Sequence, residues 1–308
     1  MCESFSGYSF ELTYLLTTNL KLCRKQEINM RKSHLRGRGP NYPILDEIVQ
    51  YDVEPGYVVF TMPAPKRLRV KVGNDVLADT ADGLVLYESD HLPVYYFPME
   101  DVSMKNLQRS GKTTFCPYKG ETEYYSLKTG GGLVENIMWH YPEPITECPD
   151  ISNYVGFEWG LVDHWYEEDD EIFVHARDPY RRVDCLQSSR RVEVVLKGEI
   201  VADTKRGVFL FETGLPTRYY LPLEDVRTQF LRESDTVTQC PYKGTANYYH
   251  VEIGGQRFDD IVWYYVDPVH ESAKIKELVC FANEFVDQIM VAGVPQARPK
   301  TSFSHGYN

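Results

Sequence analysis

The chain has 308 residues, 43% of them hydrophobic and 25% charged, and a net charge of −12. That balance describes two globular domains, and an acidic chain repels phosphate backbones, which argues against nucleic acid as a general partner. Seven cysteines, an odd count with no C-x-x-C, argue against a disulfide framework or a structural zinc knuckle.

No run of about 18 apolar residues marks a membrane span. Glu3 and Glu11 come ahead of a weak apolar run, the wrong order for a secretory signal. A reducing, cytoplasmic setting without a membrane partner is expected. Residues 1–40 form a basic leader, with seven Lys or Arg against one Glu over 21–38. It reads as a disordered, solvated segment or as a targeting or partner-binding arm.

From residue 67 the pattern becomes that of strands. Leu68, Val70 and Val72 alternate with Arg67, Arg69 and Lys71, which predicts a half-buried strand. Gly73-Asn74-Asp75 is a turn and Val76-Leu77-Ala78 the returning strand. Apolar stretches at 84–87 and 94–97 follow, the second ended by Pro98, and Glu100-Asp101-Val102 predicts a short helix with acids in its first turn. Beyond Cys116 come 124–128, a Gly130-Gly131 turn and the alternating Ile137, Trp139 and Tyr141.

All of this occurs twice. Ala78-Asp79-Thr80 returns as Ala202-Asp203-Thr204, Tyr95-Tyr96 as Tyr219-Tyr220, Cys116-Pro117-Tyr118-Lys119-Gly120 as Cys240-Pro241-Tyr242-Lys243-Gly244, and Trp139 as Trp263. Each pair is 124 positions apart, the mark of a duplicated folded unit. Near the end of the second copy, Ile275, Leu278, Val279, Ala282 and Phe285 have helical spacing while Phe281 and Val286 suit a strand; a short helix followed by a closing strand is expected. The fold class is therefore all-β with minor α: two tandem copies of a compact antiparallel sandwich or barrel-like domain. The expected boundaries are the leader at 1–40, a first repeat domain at 41–172, a packed interdomain linker at 173–189, a second repeat domain at 190–295 and a tail at 296–308.

The paired Ala-Asp-Thr, Tyr-Tyr-x-Pro-x-Glu-Asp-Val and Cys-Pro-Tyr-Lys-Gly strings resemble the domain-of-unknown-function family 427. The run from Val174 to Asp184 and the stretch from Glu212 to Tyr220 resemble its tandem, two-copy branch. The resemblance covers roughly residues 43–290. It implies a compact all-β fold and brings a provisional nucleotidyltransferase-like label, but no general reaction. A nucleotidyltransferase needs paired carboxylates on Mg²⁺. The adjacent pairs Glu100-Asp101 and Glu224-Asp225 point apart and fit helix-start roles better.

The chemistry-bearing candidates have two readings each. Cys116 and Cys240 are either nucleophiles activated by Lys119 and Lys243 or small buried side chains before a turn, with Gly120 and Gly244 at positive φ. Lys119 and Lys243 either bind an anionic ligand or pair with Glu88 and Glu212. Asp79 and Asp203 read as turn-capping carboxylates. The linker gathers His175, Arg177, Asp178, Tyr180, Arg182 and Asp184, either as a site or as glue between domains. There His175, Tyr180 or Tyr220 would act as acid and base, while Arg177, Arg182 and Arg218 would hold an anion.

The expected function is a cofactor-independent enzyme acting on a small, partly apolar organic molecule in an interdomain cleft. The alternatives are a non-catalytic small-molecule or protein-binding module, and nucleotide binding or a nucleotidyltransferase-like activity following the family label. A small-molecule ligand is the expected partner, with no cofactor and no metal.

Overall fold

The computed structural model describes residues 57–89 and 91–301, together with the backbone of residues 49–50. The basic leader and residues 302–308 of the tail lie outside the described residues. The chain divides into two compact units, Met1–Ala176 and Arg177–Asn308.

The first unit holds β1 (Val49–Gln50), β2 (Val58–Pro63), β3 (Leu68–Val72), β4 (Asp75–Thr80), β5 (Leu84–Glu88), β6 (Val94–Pro98), β7 (Leu107–Cys116), β8 (Gly120–Thr129), β9 (Gly132–His140), β10 (Tyr154–Phe157), β11 (His164–Glu167) and β12 (Asp170–Ile172). They form an eight-stranded sheet, β1-β2-β5-β6-β10-β9-β8-β7, and a four-stranded sheet, β12-β11-β3-β4. The second unit holds β13 (Val183–Gln187), β14 (Val192–Leu196), β15 (Glu199–Thr204), β16 (Val208–Glu212), β17 (Arg218–Leu221), β18 (Leu231–Cys240), β19 (Gly244–Ile253), β20 (Gln256–Pro268), β21 (Val279–Phe281), β22 (Gln288–Val291) and β23 (Val294–Pro295). Its sheets, β13-β16-β17-β21-β20-β19-β18 and β15-β14-β22-β23, repeat the first unit's order. Every pairing between these strands is antiparallel, so the all-β tandem architecture expected from the duplicated strings is the one observed.

Alternation along the strands explains the layers. In the first unit Val85, Tyr95, Phe97 and Phe157 point from the large sheet to Leu68, Val70 and Trp165 of the small one. Their neighbours Leu86 and Tyr96 point the other way, where Tyr141, Cys148 and Ile151 cover them in a second core. The second unit does the same: Phe209, Tyr219 and Leu221 enter the inter-sheet core, while Val208, Leu210 and Tyr220 enter an outer core closed by Tyr265 and Ile275. With period-2 side chains, only a strand that is apolar at successive positions can bury both faces, as Tyr95-Tyr96-Phe97 does.

One local reading is refined and two change. The short helix near the end of the second copy is a 3-10 helix at His270–Ile275, and Val279–Phe281 is a strand. All three residues of that strand are buried between β17 and β20, so its helical spacing is incidental. Val183–Gln187, inside the segment read as linker, is the edge strand paired with β16. Finally, Asp79 and Asp203 cap no turn. Each takes a forked guanidinium from the residue just before the neighbouring strand, Arg67 (2.7 and 2.5 Å) and Arg191 (2.8 and 2.6 Å). The adjacent Thr80 and Thr204 hydroxyls do the turn capping, accepting from the Asp82 and Arg206 amides at 2.9 Å.

The Cys-Pro-Tyr-Lys-Gly turns match expectation, with Gly120 and Gly244 at φ +107° and +98°. A Cβ at Gly120 would also meet the Glu143 carbonyl at 3.1 Å. Gly120→Ala is expected to lower the stability of the first unit by about 1–3 kcal/mol. Gly111→Ala, whose added methyl meets nothing within 4 Å, is expected to be near neutral; urea unfolding of both variants checks this.

Candidate functional site

The outer face of each large sheet is built around one carboxylate. Glu88 ends β5 and Lys119 lies in the turn between β7 and β8; the ammonium donates to Oε2 at 2.5 Å. The Tyr57 hydroxyl donates to Oε1 at 2.6 Å, and the Tyr57 ring stacks on Tyr118 at 3.7 Å. Burial, then the bond to Glu88, pushes the Tyr57 phenol far above its ordinary value, so it stays a donor. Both the lysine and the glutamate are about nine-tenths buried.

In the second unit Lys243 donates to Glu212 Oε2 at 2.5 Å. Arg181 stands at Tyr57's position in the repeat, donating to Glu212 Oε1 at 3.2 Å and lying 5.6 Å from the Tyr242 ring centroid. Of the two readings of Lys119 and Lys243, the ion pair is therefore the one seen, in both copies.

Beside this network lies Tyr96, which accepts from the Trp139 indole N–H at 3.1 Å. Trp139 lies directly over Gly156, so closely that a methyl there would collide with Cε2 and Cζ2 of the indole. Trp139, Tyr124 and Tyr141 floor a pocket of about 490 Å³ whose rim carries Lys112, Glu135 and Glu158. The Lys112 ammonium sits 4.1 Å from the Tyr124 ring centroid. Burial raises the Tyr141 phenol well above its usual range.

The second copy is closed at the same place. Gly156 becomes Cys280, Val94 becomes Arg218 and Gly160 becomes Glu284. Arg218 makes a fork to Glu284 at 2.6 and 2.7 Å and lies 5.4 Å from the Trp263 ring centroid. Thr301 adds a hydrogen bond to Glu284 at 2.8 Å. The Cys280 thiol is fully buried and pushed up to about 12 by that burial.

The remaining candidates lie as follows. Tyr220 has no exposed surface and accepts from Trp263 Nε1 at 3.0 Å. His175 Nδ1 bonds the Ala176 carbonyl at 2.7 Å, and the Tyr180 amide bonds Asp178 Oδ1 at 2.9 Å. Arg177 pairs with Glu271 at 2.9 Å and Arg182 with Asp184 at 2.9 Å. Tyr242 organises this segment, accepting from the Asp178 amide at 2.6 Å; burial foremost pushes its phenol up to about 12. Asp225 is held by Thr204 (2.6 Å) and Arg206 (2.8 Å). Among the described residues no group of three or more His, Cys, Asp or Glu is placed to hold a metal ion, and no helix is long and apolar enough to cross a membrane.

Sequence reasoning named Lys119, Lys243 and Arg218 but passed over Tyr57, Arg181, Gly156 and Glu284. The fixed offset was the signal available for them: it aligns Tyr57 with Arg181 and Gly156 with Cys280.

The profile of a family described as "Domain of unknown function (DUF427)" matches the chain twice, over residues 61–168 and 184–292. The chain belongs to this family, as a tandem two-copy member. No curated protein matches it. Both matches of the DUF427 profile contain the glutamate, the Cys-Pro-Tyr-Lys-Gly turn and the tryptophan just described.

Burial alone would raise the Glu284 carboxyl, but Arg218 and Thr301 more than offset it and hold the group below its usual range. A carboxylate lowered by folding stabilises fully above its unfolded value, about 4.3, and loses that contribution as pH falls through its folded value. Glu284→Gln should therefore flatten the fall in second-unit stability below about pH 4.5. At pH 7 it should cost several kcal/mol, about 3–5 when one partner of a buried pair is removed. Urea titrations at stepped pH measure both.

Proposed function

We propose that this DUF427 protein binds small organic molecules, and that its first unit holds a flat, partly apolar ligand stacked on Trp139. The observation that carries this reading is the contrast between the two tryptophans. Trp139 lies on Gly156 in an open pocket, whereas Trp263 is covered by the Arg218 guanidinium. A pocket of this size falls in the volume range of small-molecule sites, and its aromatic floor offers a stacking surface beneath a polar rim. Ring stacking on Trp139 contributes about 0.5–1.5 kcal/mol beyond area burial, and Glu158 and Asn136 on the rim offer polar partners.

An acid–base enzyme working through His175, Tyr180 or Tyr220 draws less support. The Tyr220 phenol is fully buried and raised well above its ordinary value by that burial, so it keeps its proton at neutral pH. The three arginines assigned to anion holding each carry an acidic partner.

Fluorescence titration and calorimetry with indole, quinoline and coumarin test the proposal. At least one should bind saturably in the micromolar to millimolar range. Trp139→Ala should weaken that binding about tenfold or more, the equivalent of about 1.4 kcal/mol. Absence of saturable binding for the whole panel, or binding indifferent to Trp139→Ala, would overturn it.

A further inference from the structure

The second unit carries a different cavity, beside its large sheet. It measures about 830 Å³ and is walled by Val208, Leu278, Val279 and the tyrosines Tyr249 and Tyr264. Those two rings stack at 4.9 Å with an interplanar angle of 20°. Burial, then a hydrogen bond to Tyr264, pushes the Tyr249 phenol up to about 12, so that ring faces the cavity as a neutral, hydrogen-bonding wall.

Its charge is what sets it apart. The lining includes Arg206, Lys274 and Lys276 against Glu224 and Glu277. At the matching positions of the first copy stand Asp82, Asp150 and Ser152 against Glu100 and Asn153. Three acids and no Lys or Arg have become three cations and two acids, within a chain of net charge −12. Arg206 is committed to Asp225 and Glu224. Lys276 is only loosely tied, 4.0 Å from the exposed Asp267. Lys274 has no ion pair among the described residues and projects from the 3-10 helix His270–Ile275.

The same place in the first unit is occupied differently. There His140, the counterpart of Tyr264, donates from Nε2 to the Ser152 carbonyl at 2.7 Å, and Asp150 accepts from the Ser152 hydroxyl at 2.6 Å. In the second unit lysines replace both Asp150 and Ser152, and the histidine has given way to a stacked phenol.

We propose that this cavity is a second binding site, independent of the first unit's pocket, for a small hydrophobic carboxylate. The anionic head would lie against Lys274 and Lys276, and the aliphatic or aryl body between the tyrosine pair and Val208, Leu278 and Val279. A desolvated apolar body fixed by one charged head is the usual division of labour in such sites, and a cation beside the head makes the hydrogen bond to it a charge-assisted one.

Calorimetry on the full chain tests this with sodium 4-phenylbutyrate and sodium decanoate, each set against its uncharged primary amide. At least one carboxylate should bind saturably at a single site. Its amide should bind about tenfold or more weakly, and affinity should fall as salt rises. The double substitution Lys274→Asp with Lys276→Ser restores the first copy's residues at two exposed positions. It should weaken carboxylate binding by about the same factor with an unchanged unfolding midpoint.

Four results would overturn the proposal: no saturable heat from either carboxylate up to about 5 mM; an amide that binds as tightly as its acid; an unchanged affinity in the double variant; or binding abolished by Trp139→Ala, which would put the ligand in the first unit. The amide comparison uses the unaltered chain and so decides the matter even if the double variant folds poorly.

Discussion

The structure depends on a sheet that buries both of its faces. Packing only one face of a large sheet would leave the other to water, and alternating polar residues would serve there. Here successive residues of β6 and β17 are aromatic and buried, with Tyr95 and Tyr219 facing one core and Tyr96 and Tyr220 the other. The outer core needs a cover, which residues 141–153 and 268–278 supply. It also needs its polar atoms satisfied, and the Tyr96 and Tyr220 hydroxyls each accept the indole N–H of the tryptophan beside them. The pocket over Trp139 sits where that outer core meets solvent.

The buried lysine–glutamate pair locks this arrangement. It ties the Cys-Pro-Tyr-Lys-Gly turn at the far edge of the sheet to the end of a central strand. A charge pair at that depth stabilises only when its remaining atoms are satisfied, and the two copies achieve this with different chemistry. Tyr57 supplies a phenol and an aromatic stack on Tyr118, whereas Arg181 supplies a guanidinium over Tyr242. The same carboxylate geometry is thus kept by a neutral donor in one unit and a cation in the other. It follows that the linker arginines are spent on the second unit's own framework.

Much of this was legible before any coordinates, because a duplicated sequence is its own control. The hairpin at 68–78, the Pro98 stop, the positive-φ glycines and the Lys119–Glu88 alternative all follow from short-range pattern and from the exact spacing of the two copies. Two kinds of feature were not legible. The first is the long polar strands Leu107–Cys116 and Leu231–Cys240. They are edge strands with mostly exposed residues, and an edge strand in water needs no apolar alternation to announce it. The second is the site itself. Gly156 reads as an ordinary strand residue until the indole of Trp139, from the adjacent strand, is found lying on it. Asp79 reads as a turn cap, yet it is held by Arg67, the diagonal neighbour on the same face, two residues before the Arg69 that the hairpin register sets opposite it.

The copies differ at these meeting places. The second unit has filled the space over its tryptophan with a buried arginine–glutamate fork and a cysteine. The first has kept it open with valine and two glycines. The most direct test of this account is to give the first unit the second unit's residues, as Val94→Arg, Gly156→Cys and Gly160→Glu together. Aromatic-ligand binding and cooperative urea unfolding are then measured on the same sample. The account predicts a chain that still unfolds cooperatively but no longer binds at Trp139. Ligand affinity equal to that of the unaltered chain would contradict it.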